Sequence, residues 1–508
     1  MASFPSDALD NLFATATGPV LHRDIRAAVA EDIRSEMHDP FLDAFTNIRR
    51  MTADEISRFD PLRSSAPGSR VAVSDDFDYS FSDNSSDEGG GGSQRVRASP
   101  KFYYTIGEYE TSSFYCEFLS DEAVRASNGR MVTVREMTDE TSRNPKSCFR
   151  SWFRIPLYMV CDIVDRFIAE GWIRLSHHCR TPDRLKMKAE LLVLGTLAML
   201  GGTLQSFRQL KPLTHICASD HSNFYLSFVG HVASISHEYV FMPRTPEELR
   251  QIMRWYEEEG LPGAAGSVDV VHVKRGNCPA GDYNRSKGKE SYPSLAFECI
   301  TDFDRRILGV FGPQFGSNND KHTVKIDNNI RMLSEGWLSC VEWNYYAHDE
   351  QICSSKGVYV ICDNGYISWP TTICPFMGSR LNGRLEDYFS TNLESVRKDV
   401  ECVFGILKGR WASLDQGFKY RDVKTCGEIF LTCAVLHNMM LGEMVREGKP
   451  PRLQRGVRLA NAGMWLEGPS ELQSDSGNRN AAELKEAFNA RRMQLCHHFR
   501  VWKDMNRV

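Results

Sequence analysis

The chain has 508 residues, 42% hydrophobic and 25% charged, enough for two or three folded units with cores of their own and too apolar for a chain disordered throughout. Its formal net charge of −5 excludes a uniformly basic nucleic-acid coat, so any contact with DNA or RNA has to come from local patches. The 15 cysteines form no CxxC pair and no regular framework, the usage expected of reduced thiols in an intracellular protein. The start from Met1 to Phe13 has no basic stretch leading into an apolar one, and the most apolar run, Leu191 to Leu200, is too short to span a membrane.

Residues 1–99 read as a flexible N-terminal region. The stretch SDDFDYSFSDNSSDEGGGGSQ is acidic, rich in Ser and Gly, and unable to bury enough surface to fold alone. It is a solvated spacer, or a partner-binding arm with Phe77, Tyr79 and Phe81 as adhesive points. Residues 100–262 read as a helical domain. LYMVCDIVDRFIAEGW has an amphipathic helical period, and KMKAELLVLGTLAMLGG is a helix stopped by Gly201-Gly202. SDHSNFYLSFVGHVASI is a further helix, opened by Ser219 or Asp220 as its cap. Helix, break, helix admits a helix-turn-helix, but the second helix is aromatic and nearly uncharged from Asn223 to Ile235, so packing into a core accounts for it equally well. TPEELRQIMRWYEEE is one more helix. His177-His178-Cys179 and Cys496-His497-His498 lack the spaced partner pairs of a tetrahedral zinc site and read as packing or surface residues.

Residues 263–442 change character. GSVDVVHVK is a Val-rich strand with Asp269 inside it, and an acid between Val268 and Val270 costs free energy unless a cation or hydrogen-bond donors meet it. The loop that follows concentrates Lys274, Arg275, Arg285, Lys287 and Lys289, a solvated run when taken alone and a set of phosphate contacts when placed beside a metal site. SLAFECITD and RRILGVFG form a hairpin through Phe303-Asp304-Arg305. A helix from Lys321 to Leu333 and an irregular aromatic insert, EGWLSCVEWNYYAHDE, lead to the strand Val358–Cys362, which ends at Asp363-Asn364-Gly365. Next, Leu393, Val396, Val400, Val403, Phe404 and Leu407 recur at helical spacing, with Glu394, Arg397, Glu401 and Lys408 on a neighbouring stripe.

Acids on two strands and on a helix packed over them make a hard-cation site of Asp269, Asp363 and Glu401, suited to Mg²⁺. Bland accounts exist for two of them: Asp363 as a turn residue, and Glu401 as a surface partner of Arg397, a pair contributing ~0.3–0.5 kcal/mol. His437 lies in an apolar helical run and reads as a core histidine. Residues 443–508 begin as a Pro- and Gly-rich linker and end in an amphipathic helix. Its Leu484, Phe488, Met493, Leu495, Phe499 and Trp502 pack back on the preceding domain, while Arg491, Arg492, Arg500 and Lys503 form a basic face. The order of elements predicts an α/β fold: a ribonuclease-H-like mixed-sheet catalytic domain preceded by an all-helical domain, with a disordered N-terminal tail.

The blocks GSVDVVHV, GPQFGSNNDKH, ICDNGY, SVRKDVECVFGILKGRW and CAVLHN, in that order between about Phe149 and Leu441, resemble the PIF/Harbinger group of DDE transposases and their domesticated nuclease relatives, including the plant-transposon-protein branch. The resemblance implies that Asp269, Asp363 and Glu401 are the catalytic and metal-binding triad, and that Asp320 in the NND turn is an auxiliary acid that need not be a ligand. It implies two Mg²⁺ or Mn²⁺ ions per active site, with Lys408 and Arg410 holding phosphates near the active helix. The implied reaction is hydrolysis of a phosphodiester at an element end, followed by attack of the freed 3′-hydroxyl on target DNA. The implied partners are double-stranded DNA, a second copy of the chain on that DNA, and a Myb-like DNA-binding protein that supplies end recognition and import to the nucleus. A domesticated, non-catalytic DNA-binding or scaffold protein would carry the same blocks.

Overall fold

The computed structural model describes residues 110–173, 189–243, 246–318, 327–334, 338–377, 384–446 and 481–506. The N-terminal region expected over 1–99, the His177-His178-Cys179 run, Asp320 and the linker over 447–480 lie outside the described residues.

A small antiparallel hairpin, β1 (Ala123–Arg125) and β2 (Met131–Thr133), runs straight into α1 (Val134–Ser142). Thr133 and Glu136 close a reciprocal capping box there, satisfying two otherwise unpaired N–H groups of the first turn. α2 (Cys148–Phe153) is capped by Ser147, and α3 (Leu157–Ala169), α4 (Ala189–Leu200), α5 (Ala218–Ser234) and α6 (Pro246–Glu258) follow. The expected cap of α5 at Ser219 or Asp220 is not used: Cys217 holds that position, and its side chain caps no backbone N–H of the first turn.

Next come β3 (Ala264–Lys274), β4 (Ser294–Thr301), β5 (Ile307–Phe315), α7 (Asn328–Ser334), β6 (Glu342–Tyr346), β7 (Ile352–Lys356), β8 (Tyr359–Ile361) and β9 (Thr372–Ile373). Three long helices complete the order: α8 (Arg384–Arg410), α9 (Val423–Arg446) and α10 (Ala481–Met505). Five strands form a mixed sheet in the order β5-β4-β3-β8-β9, antiparallel from β5 to β3 and parallel from β3 to β9. Every residue of β4 is buried, as a strand covered on both faces requires. The expected hairpin of β4 and β5 is present, and Pro313 lies in β5, the edge strand, where a missing N–H costs no ladder bond.

The aromatic insert read as irregular is instead the β6–β7 hairpin, paired from Glu342 opposite Lys356 to Tyr346 opposite Ile352. Trp343 from it lies against Gly263, whose φ of +83° and missing Cβ let the indole in.

The apolar residues gather in two clusters. One joins α2, α3, α4 and α5 to the sheet through Val271, Val273, Leu295 and Phe297, and continues into α9. The helical region expected over 100–262 and the sheet region expected over 263–442 therefore share a core across that boundary. The other cluster unites α6, β8, α7 and α10. α8 belongs to both, placing Phe389, Leu393 and Val396 in the second and Val400, Val403 and Leu407 in the first.

α5 packs on α4 and α9 and buries Phe224, Tyr225, Phe228, Val229 and Val232. Its exposed stripe of Asn223, Leu226 and Ser227 carries no cation. α10 docks back on the sheet region through Phe488, Leu495 and Phe499. Two members of its expected basic face turn inward: Arg491 donates to the Pro370 and Lys356 carbonyls and Arg492 to that of Pro375. Among the described residues no helix is long and apolar enough to cross a membrane.

A candidate three-carboxylate site

β3 and β8 run parallel with Ser267 level with Ile361. Two residues further along the chain stand Asp269, within β3, and Asp363, just past the end of β8, near enough for each carboxylate to feel the other's charge. Asp363 closes the strand with a local turn, its Oδ1 accepting the Gly365 N–H at 2.8 Å. Asp269 lies opposite Cys299 of β4, and its Oδ1 accepts the Val270 N–H at 2.8 Å.

α8 packs over β3 and β4 and brings the third acid. Val396, Val400 and Val403 are buried, and this orients Arg397 and Glu401, one turn apart, toward the strand tips. Arg397 Nη1 is 2.9 Å from Asp269 Oδ2 and its Nη2 is 2.7 Å from Glu401 Oε1. Burial pushes the Asp269 carboxyl above its usual range, with Asp363 and Glu401 adding to the effect while the Val270 N–H and Arg397 oppose it. Burial also works against the Arg397 charge, but Asp269, Glu401 and Asp363 outweigh it and hold the guanidinium more firmly protonated than usual.

The donor set is all carboxylate oxygen, the chemistry that suits Mg²⁺ or Mn²⁺. In the arrangement described Asp269 and Glu401 are drawn onto Arg397, and among the described residues no group of three or more His, Cys, Asp or Glu side chains is disposed to hold an ion.

The expected basic contacts divide. Lys274 at the end of β3 and Arg285, Lys287 and Lys289 on the loop between β3 and β4 are exposed, with Arg285 stacked on Phe315 at 4.1 Å. Arg275 is not on that surface. Its side chain is 1% exposed, paired with Asp282 at 3.0 Å and bonded to the Arg421 carbonyl, so it fastens the loop and cannot meet a phosphate. Lys408 is half-buried, its Nζ donating to the His272 carbonyl at 3.2 Å. Arg410 is drawn in beside His437, and burial, with Arg150 nearby, lowers its pKa to about 10. His437 is a core residue, bonded to the Arg305 carbonyl at 2.9 Å.

Sequence reasoning passed over two further acids. Glu298, in the middle of β4, and Asp327, just before α7, are both buried and interact with each other, with burial raising the Asp327 carboxyl. Tyr366 is buried within the field of Glu298, Asp269 and Asp363. The signal that singled out Asp269, an acid inside an apolar strand, was equally present in SLAFECIT.

No curated protein and no solved structure matches the chain significantly. Residues 237–447, which run from just after α5 to the end of α9 and hold Asp269, Asp363, Arg397 and Glu401, match the family model described as plant transposon protein. Over that stretch the chain is similar to the plant transposon protein family, in keeping with the PIF/Harbinger-type blocks of its sequence.

Proposed function

We propose that the chain is a DNA endonuclease and strand-transferase of the DDE transposase type, dependent on Mg²⁺ or Mn²⁺ and built on a ribonuclease-H-like plan. The observation that supports this reading is that Arg397 bridges Asp269 of β3 and Glu401 of α8, with Asp363, just past the end of β8, acting on the same guanidinium through its charge. Divalent ions held by these acids would activate the attacking oxygen and steady the leaving one. The chain's own part is to present three oxygen donors on rigid elements and to hold the DNA backbone with Lys274, Arg285, Lys287 and Lys289 at the neighbouring loop. The substrate is double-stranded DNA, met by two copies of the chain. A Myb-like partner would supply end recognition and nuclear entry, since the helix best placed in sequence to read a groove is packed in the core.

Nicking of supercoiled DNA in Mn²⁺ by the wild-type chain and by Asp363→Asn tests the reading. Divalent-dependent nicking that falls more than about 100-fold in the variant, with melting retained, is expected, since outer-sphere changes alone reach 10- to 100-fold. Equal nicking by both proteins would sink it. The second reading, a non-catalytic DNA-binding or scaffold protein, draws on the acids being already paired with Arg397. It predicts DNA binding that Asp363→Asn leaves unchanged and no cleavage in any divalent ion.

A further inference from the structure

Arg397 occupies the middle of the carboxylate group. Its side chain is 14% exposed, against 20% for Asp269 and 47% for Glu401, so the arginine is the most enclosed of the three. One planar fork spans a strand acid and a helix acid, a geometry that Arg offers and Lys does not. Both oxygens of Asp269 are engaged, one by Arg397 and one by the Val270 N–H, and the Glu401 Oε1 is engaged as well. Yet the fit is incomplete: the Arg397 Nε is buried without a hydrogen-bond partner among the described residues, and one positive charge faces three carboxylates.

We propose that Arg397 is a resident counter-ion of the metal-free protein, which must release Asp269 and Glu401 before divalent ions enter, so that metal loading is a displacement and not the filling of a preformed cage. This rests on the three-carboxylate reading above. The helix need not move for the exchange. Val396 and Val400, on either side of Arg397 in sequence, are locked in the core, while the arginine lies beside Glu401 at the rim and can swing outward about its own side-chain torsions. An arginine that merely organises the acids would instead help the metal to bind.

The two cases separate in a calorimetric titration of the full chain with Mn²⁺ alone, together with melting in EDTA and in Mn²⁺. Arg397→Met is expected to bind Mn²⁺ about tenfold more tightly than wild type, as removing a competing charge from a partly buried acid group should allow. It is also expected to melt lower in EDTA and to gain more from Mn²⁺ than wild type does. Arg397→Lys keeps the charge without the fork and should fall between, and it serves if the Met variant does not fold. Binding equal to or weaker than wild type in both variants, or a melting deficit that Mn²⁺ does not relieve, overturns the proposal. Wild type and variants that all ignore Mn²⁺, or bind it equally well with Asp363→Asn added, bring down the carboxylate-site reading itself, and the displacement with it.

Discussion

Asn438 of α9 holds Ile307 by both of its backbone groups, accepting the N–H through Oδ1 at 3.0 Å and donating through Nδ2 to the carbonyl at 2.7 Å. Ile307 opens β5, the outer strand of the sheet, so one amide side chain stands in for the neighbouring strand that an edge lacks. A further bond from Nδ2 to the Tyr239 carbonyl, at 2.8 Å, ties in the end of the helical region. Asn438→Ala strands a buried donor and carbonyls together, and a loss of about 2–4 kcal/mol in urea unfolding is expected. A loss below about 0.5 kcal/mol would show that water replaces the amide.

Two arginines of the same loop should answer mutation in opposite ways. Arg285 is exposed and Arg275 is buried on Asp282 and the Arg421 carbonyl. Arg285→Ala should leave melting unchanged and lower the slope of log affinity against log salt by about 0.9, the share of one phosphate on duplex DNA. Arg275→Met should destabilise by about 3 kcal/mol or more, since it leaves Asp282 and a carbonyl without their partner. An unchanged salt slope in the first variant would remove that loop from the DNA path.

His437 supplies a dependence on pH. Burial, with Arg410 and Arg305 nearby, lowers its pKa from 6.5 to about 4, so the folded chain holds the ring neutral where the unfolded chain would protonate it. A depressed pKa gives stability that is complete above pH 6.5 and is lost as the pH falls toward 4. The stability difference between wild type and His437→Asn should therefore shrink by roughly 3 kcal/mol between pH 7 and pH 4. Comparing the pair matters because Asp302, raised to about 7 by burial, acts in the other direction: its share is complete below pH 3.8 and is lost as the pH rises through 7. A difference that stays flat across the range would mean that the ring is reached by water in the folded state.

Gly288 sits where the cationic loop crosses the end of β5. A Cβ there would run into the Gly316 carbonyl, and the Ser317 N–H donates to the Arg285 carbonyl at 3.1 Å in the same crossing. Gly288→Ala should cost about 1–3 kcal/mol and speed hydrogen exchange at Ser317. DNA affinity should fall with it, because Arg285, Lys287 and Lys289 share the displaced segment. Unaltered exchange at Ser317 would show that the backbones part without consequence.

The three acids were legible because each had a local reason to be odd: Asp269 among valines, Asp363 at an abrupt strand end, Glu401 beside an apolar stripe. The link from Arg397 to Asp269 was not, since 128 residues separate them and only the packing of α8 across β3 makes the contact. Arg275 and Arg285 are the same letter in the same loop, and what buries one is a carboxylate seven residues on and a carbonyl from a distant segment. The β6–β7 hairpin escaped because its buried Trp343 depends on a gap left by Gly263, far back in the chain. The long helices, by contrast, announced themselves by period, and α4 by being apolar on every side.

α8 is bolted into two separate bodies of hydrocarbon, with Phe389, Leu393 and Val396 in one and Val400, Val403 and Leu407 in the other. Glu401 lies just beyond the join. A slip of the helix by a single residue would carry it about 1.5 Å along its axis, far enough to spoil a catalytic alignment while leaving the chain folded. Methylene-sized changes on either side of that join, none touching an acid, are thus a route by which the chemistry can wear out long before the protein does.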